Sequence, residues 1–291
     1  MPGRPAPIGR PRPGFGGHGP TGFSRKVIRV RVHVVSDVHG NADALARAGE
    51  GADALVVLGD LLDFVDYHDH SRGILGAIFG PDKVATFAEL RRNRQGAEIA
   101  AYARSLWASL DDPETVIIEA VREQYEKLFA AMTAPTYATP GNVDAPALWP
   151  EFAGRRVHIL DGEVAKIGEL RFGFAGGALL PPGAVPRSGG GWRPYLRTEE
   201  DFGAAVARLG EVDVVCTHIP PAVPELTYDV VARRPERGSA ALLDAIVRHR
   251  PRWSLFGHVH QPLARRMRVG RTECVNVGHF KRTARPYVLR W

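Results

Sequence analysis

The chain has 291 residues, 44% of them hydrophobic, which is enough for one large domain or two small ones with a true core, and no apolar run is long enough to span a bilayer. Lys and Arg number 38 against 32 Asp and Glu. Five of those bases (Arg4, Arg10, Arg12, Arg25 and Lys26) and no acid lie in residues 1–26, leaving 33 bases against 32 acids in the body, so neither a basic nucleic-acid face on the folded part nor a membrane partner is expected.

Residues 1–26 are rich in Pro, Gly and Arg and lack the apolar stretch of a secretory signal. A disordered, solvated arm is expected there, with the folded domain over 27–291. Cys216 and Cys274 fall in apolar, strand-like runs. Two buried thiols in a reducing, cytoplasmic setting fit this better than a disulfide.

A first strand is read over Val27–Ser36 and a second, fully apolar, over Ala54–Leu58, as for a strand buried on both faces. The first runs into Ser36-Asp37-Val38-His39 and the second into Gly59-Asp60-Leu61-Leu62-Asp63. Ile99, Tyr102, Leu106 and Leu110 then recur at helical spacing, as do Ile117, Val121, Leu128 and Met132. Asp112-Pro113 reads as an N-cap followed by Pro at N1. Residues 64–134 are therefore expected to form a loop and two or three helices inserted into an α/β core, serving as a cap or as a surface for homo-oligomerisation. Arg91, Arg92 and Arg94 read as a solvated helix face.

A third strand near Thr136–Thr139 ends at Gly141-Asn142-Val143-Asp144. Strand-like segments follow near 157–160, 164–167 and 170–175, then a Pro/Gly-rich loop over Leu180–Pro194. A helix over Glu199–Leu209 precedes the strand Val212–Cys216, which runs into Thr217-His218-Ile219-Pro220. A helix over Ser239–His249 and a strand over Trp253–Phe256 lead to Gly257-His258-Val259-His260. Strands near 263–269, 272–277 and 287–289 close the chain, with Asn276-Val277-Gly278-His279 among them.

Five polar motifs thus sit at strand ends and supply Asp37, His39, Asp60, Asn142, His218, His258 and His260. Hard oxygen donors mixed with imidazoles suit Mn²⁺, Fe, Zn²⁺ or Ni²⁺ better than Ca²⁺ or Cu(I). In extended chain, residues i and i+2 share a side. Asp37 and His39 are expected to face one ion on this ground, and so are His258 and His260 if their turn stays extended. Asp60 has two oxygens and can bridge two ions. Each motif alone is weak, since Gly-Asn is an ordinary hairpin signal and a lone Asp-x-His is more often a surface pair. Their order and their strand-end placement carry the inference.

In this order the motifs resemble those of the calcineurin-like metallophosphoesterase superfamily, over about residues 30–280 apart from the helical segment. The resemblance implies a four-layer α/β/β/α sandwich of the metallo-dependent phosphatase type with a helical insertion. It also implies two divalent ions, Mn²⁺ first among them, with Fe, Zn²⁺, Ni²⁺ or Co²⁺ as alternatives. By carry-over, Asp37, His39, Asp60 and His260 would hold the first ion, and Asp60, Asn142, His218 and His258 the second. Asp63 would stand beside them and orient the site. Ions about 3.5–4 Å apart make hydroxide available near neutral pH, and Asp60, Asn142 and His218 would carry catalysis through it.

One position departs from the family pattern. The motif normally reads Gly-Asn-His-Asp/Glu, and here Val143 stands for the histidine. Valine can neither stabilise the transition state nor protonate a leaving group, a role that contributes about 10²–10⁴-fold. Asp144 then has no imidazole to orient and is expected to be structural. Either the leaving group needs no proton, or His279, His68 or His70 supplies it. Asp63 is followed by Phe64-Val65, so the phosphate-gripping Arg of the protein Ser/Thr phosphatases is missing. The expected activity is that of small bacterial phosphodiesterases lacking the same histidine, acting on a small phosphorylated substrate, an organic or nucleotide-like diester. A phosphomonoesterase is the alternative. A nuclease or a non-catalytic scaffold on the same fold is less favoured.

Overall fold

The computed structural model describes residues 3, 30–93, 96–184 and 192–291. The arm expected over 1–26 (Gly3 aside), Arg94, and positions 185–191 of the Pro/Gly-rich loop lie outside them. The chain opens with β1 (Arg31–Val35), α1 (Ala42–Ala48) and β2 (Ala54–Val57), and continues through α2 (Gly73–Phe79), α3 (Pro81–Arg92), α4 (Gly96–Trp107) and α5 (Pro113–Ala130). Next come β3 (Thr136–Ala138), α6 (Trp149–Phe152), β4 (Val157–Ile159), β5 (Glu163–Ile167), β6 (Leu170–Ala175) and the short β7 (Ala178–Leu179) and β8 (Leu196–Arg197). They are followed by α7 (Glu199–Leu209), β9 (Val214–Thr217), α8 (Pro224–Thr227), the hairpin of β10 (Tyr228–Asp229) and β11 (Arg234–Pro235), and α9 (Ala240–His249). The last elements are β12 (Trp253–Phe256), β13 (Arg266–Val269), β14 (Thr272–Asn276), α10 (Phe280–Thr283) and β15 (Tyr287–Arg290).

Two sheets dominate. One has the strand order β15-β1-β2-β3-β4 and the other β13-β14-β12-β9-β6-β5. The central pairs β1·β2, β2·β3, β9·β12 and β6·β9 are parallel, and antiparallel pairs form at the edges. The inward faces meet in a core of Val32, Val34, Val56, Leu58, Phe172, Phe174, Cys216, Leu255 and Val275. On the outside of the first sheet, Val35 and Val57 pack under Leu45 of α1, Trp149 of α6, and Ile117, Val121, Tyr125, Leu128 and Phe129 of α5. On the outside of the second, Ala175, Val215 and Phe256 pack under Phe202, Val206 and Leu209 of α7 and Leu242 and Ile246 of α9. This is the α/β/β/α sandwich expected. β2 is buried at all four positions, as its unbroken apolar run requires.

Helix ends follow from local chemistry. Asp112, Thr198 and Ser239 each accept a hydrogen bond from a backbone N–H three residues on, capping α5, α7 and α9. Between Asp63 and β3 the described residues form four helices where two or three were expected. Gly80, at φ 81°, and Pro81 at the first turn of α3 split one helical stretch into α2 and α3. Adjacent Ile74 and Leu75 give no clean period there. The four helices play two parts. Leu75, Val84 and Phe87 pack with Ile99, Tyr102 and Trp107 into a small core of their own, whereas α5 belongs to the outer layer of the sandwich. The first strand is Arg31–Val35, and residues 27–29 of the stretch expected for it lie outside the described residues. Cys216 and Cys274 are free and buried. No helix among the described residues is long and apolar enough to cross a membrane.

Candidate metal centre

All five polar motifs lie at the carboxyl ends of parallel strands, after β1, β2, β3, β9 and β12. That is the edge where open α/β sheets place ligands. The backbone gathers the side chains differently from the extended geometry read from the sequence. Among the described residues, seven non-glycine residues have positive φ, and four of these are Asp37 (57°), His39 (40°), Asp60 (51°) and His258 (66°). Asp37, His39 and His258 therefore leave the strand in left-handed turns, and the two-residue alternation does not apply. A left-handed non-glycine residue costs about 1–3 kcal/mol and persists only where its surroundings hold it. Here the hold is visible. The N–H groups of Asp37, His39 and Gly40 bond to the carbonyls of Gly59, Asp60 and Leu61. At Gly257 any Cβ would collide with Ser36 Oγ and the Asp37 carboxylate, and at Gly141 with Asp60.

The donors converge. Asp37 Oδ2 accepts the His258 backbone N–H at 3.0 Å, and its Oδ1 lies 3.4 Å from His260 Nε2 and 4.0 Å from His39 Nε2. Asp60 Oδ2 lies 3.9 Å from His39 Nε2, while Oδ1 lies 3.4 Å from His218 Nε2. Asn142 Oδ1 is 3.1 Å from the same His218 nitrogen. The His218 and His258 rings meet edge-on, with centroids 5.1 Å apart. His218 donates from Nδ1 to the Leu58 carbonyl at 2.7 Å, and His39 from Nδ1 to the Leu62 carbonyl at 3.1 Å. In both rings Nε2 is left facing the cluster, the arrangement that orients a metal-bound histidine. One donor atom from each of Asp37, His39 and Asp60 falls within 4.8 Å of the others, and the same holds for Asp60, His218 and His258.

The donor set fits a pair of divalent ions. Asp37 Oδ1 and His39 Nε2 are buried and have no hydrogen-bond partner, a costly state for polar atoms that a cation relieves. Charges in the cluster follow the same geometry. Burial pushes the Asp37 carboxyl up, but the neighbouring His260 imidazole, with His218 and His39, holds it far below the usual range. Burial acts likewise on Asp60, and His218 and His39 bring it down to about 2. Burial lowers the His258 imidazole to about 4, helped by the His218 charge. For His218 burial is outweighed by Asp60 and Asp37, which raise it to about 9.

Residues around the candidate ligands fall into place unevenly. Asp144 is buried and accepts backbone N–H bonds from Gly141 at 2.8 Å and Leu61 at 2.9 Å, tying two ligand turns together. Asp63 points its Oδ2 at Lys281 Nζ, 2.8 Å away, and the Lys281 N–H bonds to the Asp37 carbonyl at 2.9 Å. His279 stacks on His260, with centroids 3.9 Å apart at 14°. His68 and His70 sit in the loop after Asp63, where Asp66 Oδ1 accepts the His68 N–H, and neither ring joins the ligand groups. Sequence reasoning missed Lys281 altogether. Trp192 also borders the site: its indole N–H bonds to the Val143 carbonyl and its ring stacks on Phe64. No short motif marks either residue. The Gly-His pair that follows β14, repeating Gly257-His258 after β12, is a signal for His279.

A sequence profile of calcineurin-like phosphoesterases matches residues 30–262. One crystal structure aligns with a TM-score of 0.56 at 19% identity, covering 90% of this chain and 95% of its own. That of TT1561 from Thermus thermophilus aligns with a TM-score of 0.52 at 14% identity, covering 89% of this chain and 98% of its own. At these identities the likeness is one of fold. No curated protein matches the chain.

Proposed function

The chain belongs to the calcineurin-like phosphoesterase family, and on that premise we propose that it is a metal-dependent phosphodiesterase acting on a small organic or nucleotide-like diester. Asp37, His39, Asp60 and His260 would hold one divalent ion, and Asp60, Asn142, His218 and His258 a second. When bound, such a pair supplies an activated water and neutralises phosphoryl oxygens. The chain's own part is to keep these donors rigid. The carbonyls of Leu58 and Leu62 fix the His218 and His39 tautomers, and Asp144 ties the Asp60 turn to the Asn142 turn.

The observation that carries the choice of a diester is Val143. Its side chain packs with Phe64 and Trp192 against the outer core, so an apolar wall stands where the family's imidazole would. The chain resembles phosphodiesterases that lack the same histidine, and without that imidazole the proton for an alkoxide leaving group has to come from water or another side chain. Mn²⁺, Fe, Zn²⁺, Ni²⁺ and Co²⁺ all suit the oxygen and nitrogen donors. A cytoplasmic setting agrees with the free thiols of Cys216 and Cys274.

The test is hydrolysis of bis(p-nitrophenyl) phosphate against p-nitrophenyl phosphate by the Mn²⁺-loaded protein, with a chelated control. Chelator-sensitive preference for the diester is the expected result. Preference for the monoester would replace the proposal with a phosphomonoesterase.

A further inference from the structure

His279 lies beyond every ligand motif of the chain, yet its ring sits among them. One nitrogen from each of His39, His260 and His279 falls within 4.8 Å of the other two. The His279 ring lies flat on His260, 3.9 Å between centroids, and edge-on to His39 at 5.6 Å. Its Nε2 is buried and has no hydrogen-bond partner, the same state as Nε2 of His39 and Oδ1 of Asp37. His279 Nε2 is thus a third buried, unpartnered polar atom in this cluster, and the protein offers it no hydrogen bond.

The backbone holds His279 against two of the three loops that carry the first-ion residues. On one side, His279 bridges to Ser36, and the N–H groups of Phe280 and Lys281 bond to the carbonyls of Ser36 and Asp37 at 3.0 and 2.9 Å. On the other, the Asn276 amide donates to the carbonyls of Gly257 and Val259 at 3.2 and 2.9 Å, while its Oδ1 accepts the Gly278 N–H at 2.9 Å. Gly278 takes φ 100°, a turn closed to other residues, which delivers the next side chain to the sheet edge. A loop histidine present only for packing needs none of these ties.

We infer that His279 is an additional ligand of the first ion, alongside Asp37, His39, Asp60 and His260. This rests on the two-ion site proposed above and extends it. A third imidazole makes the first position richer in nitrogen than the second. By ligand type it moves the preference away from Mn²⁺ toward Zn²⁺, Ni²⁺, Co²⁺ or Fe²⁺. It also removes His279 from the candidates for a proton donor, since the nitrogen facing the cluster is committed to a metal.

The test is a metal titration. Metal-free wild type, His279→Ala, His279→Gln and the control His68→Ala are titrated with Co²⁺, following bound metal by equilibrium dialysis and the visible absorption of the bound ion. Wild type and His68→Ala are expected to take up two ions with the same affinities. Both His279 variants should hold one of the two at least about tenfold more weakly, with an altered Co²⁺ spectrum and an unchanged melting temperature of the metal-free form. His279 variants with wild-type affinities and spectrum would overturn the role of His279 while leaving the two-ion site intact. Wild type that takes up no ion would overturn both.

Discussion

Trp192 donates its indole N–H to the backbone carbonyl of Val143 at 2.9 Å and lies on Phe64 with ring centroids 3.7 Å apart. The residue in the family's histidine position is thus fixed by an aromatic pair. Val143→His would place an imidazole beside the phosphoryl site. Turnover of dialkyl phosphodiesters, whose leaving groups need a proton, should rise by about 10²-fold or more. p-Nitrophenyl diesters should stay within about twofold. Equal responses on the two substrate types would show that protonation does not limit this enzyme.

Asp60 stands between the two ligand groups, with Oδ2 toward His39 and Oδ1 toward His218. Asp60→Ala should therefore abolish uptake of both ions rather than one, and turnover with it. Metal analysis of the dialysed variant decides the matter. Two ions retained per chain would remove Asp60 from the bridging position.

The sequence revealed which polar side chains gather at the strand ends more readily than how they meet. Gly-Asp and Gly-His at strand ends are visible as text, and so is the buried run of β2. Left-handed φ at Asp37, His39, Asp60 and His258 is not, because it is imposed by hydrogen bonds between loops remote in sequence, such as Asp37 N–H to the Gly59 carbonyl. The same remoteness hid Lys281, which meets Asp63 only through the fold. The spacing of α5 marked a helix correctly, but periodicity does not say which sheet face a helix covers, so its place in the outer layer came from packing alone.

Asp144, freed of any imidazole partner, acts on the backbone. Its carboxylate serves the N–H groups of Gly141 and Leu61. Asp144→Ala leaves these buried donors without an acceptor, at about 1–3 kcal/mol each. A fall in melting temperature of roughly 5–10 °C is expected, with a smaller fall for Asp144→Asn, which keeps one oxygen. An unchanged melting temperature in the Ala variant would mean that water replaces the carboxylate.

Lys281 Nζ lies 2.8 Å from both Asp63 Oδ2 and Asp66 Oδ2, pinning the start of the helical segment to the C-terminal loop. Burial pushes the Asp66 carboxyl up. The Lys281 hydrogen bond and the N–H groups of Asp69 and His68 outweigh it, bringing the group down to about 2. Its unfolded value is about 3.9. The folded pKa is the lower one, so this contribution to stability is complete above about pH 4 and is lost as pH falls from there through 2. The full shift corresponds to roughly 2.6 kcal/mol, which solvent screening of the partly exposed Lys281 reduces to about 1–2 kcal/mol. Melting curves of metal-free wild type and Asp66→Asn should therefore differ by that amount at pH 5 and converge toward pH 2, since the Asn variant has no charge to lose. Curves that stay parallel across this range would show that Lys281 draws its neutralisation from Asp63 alone.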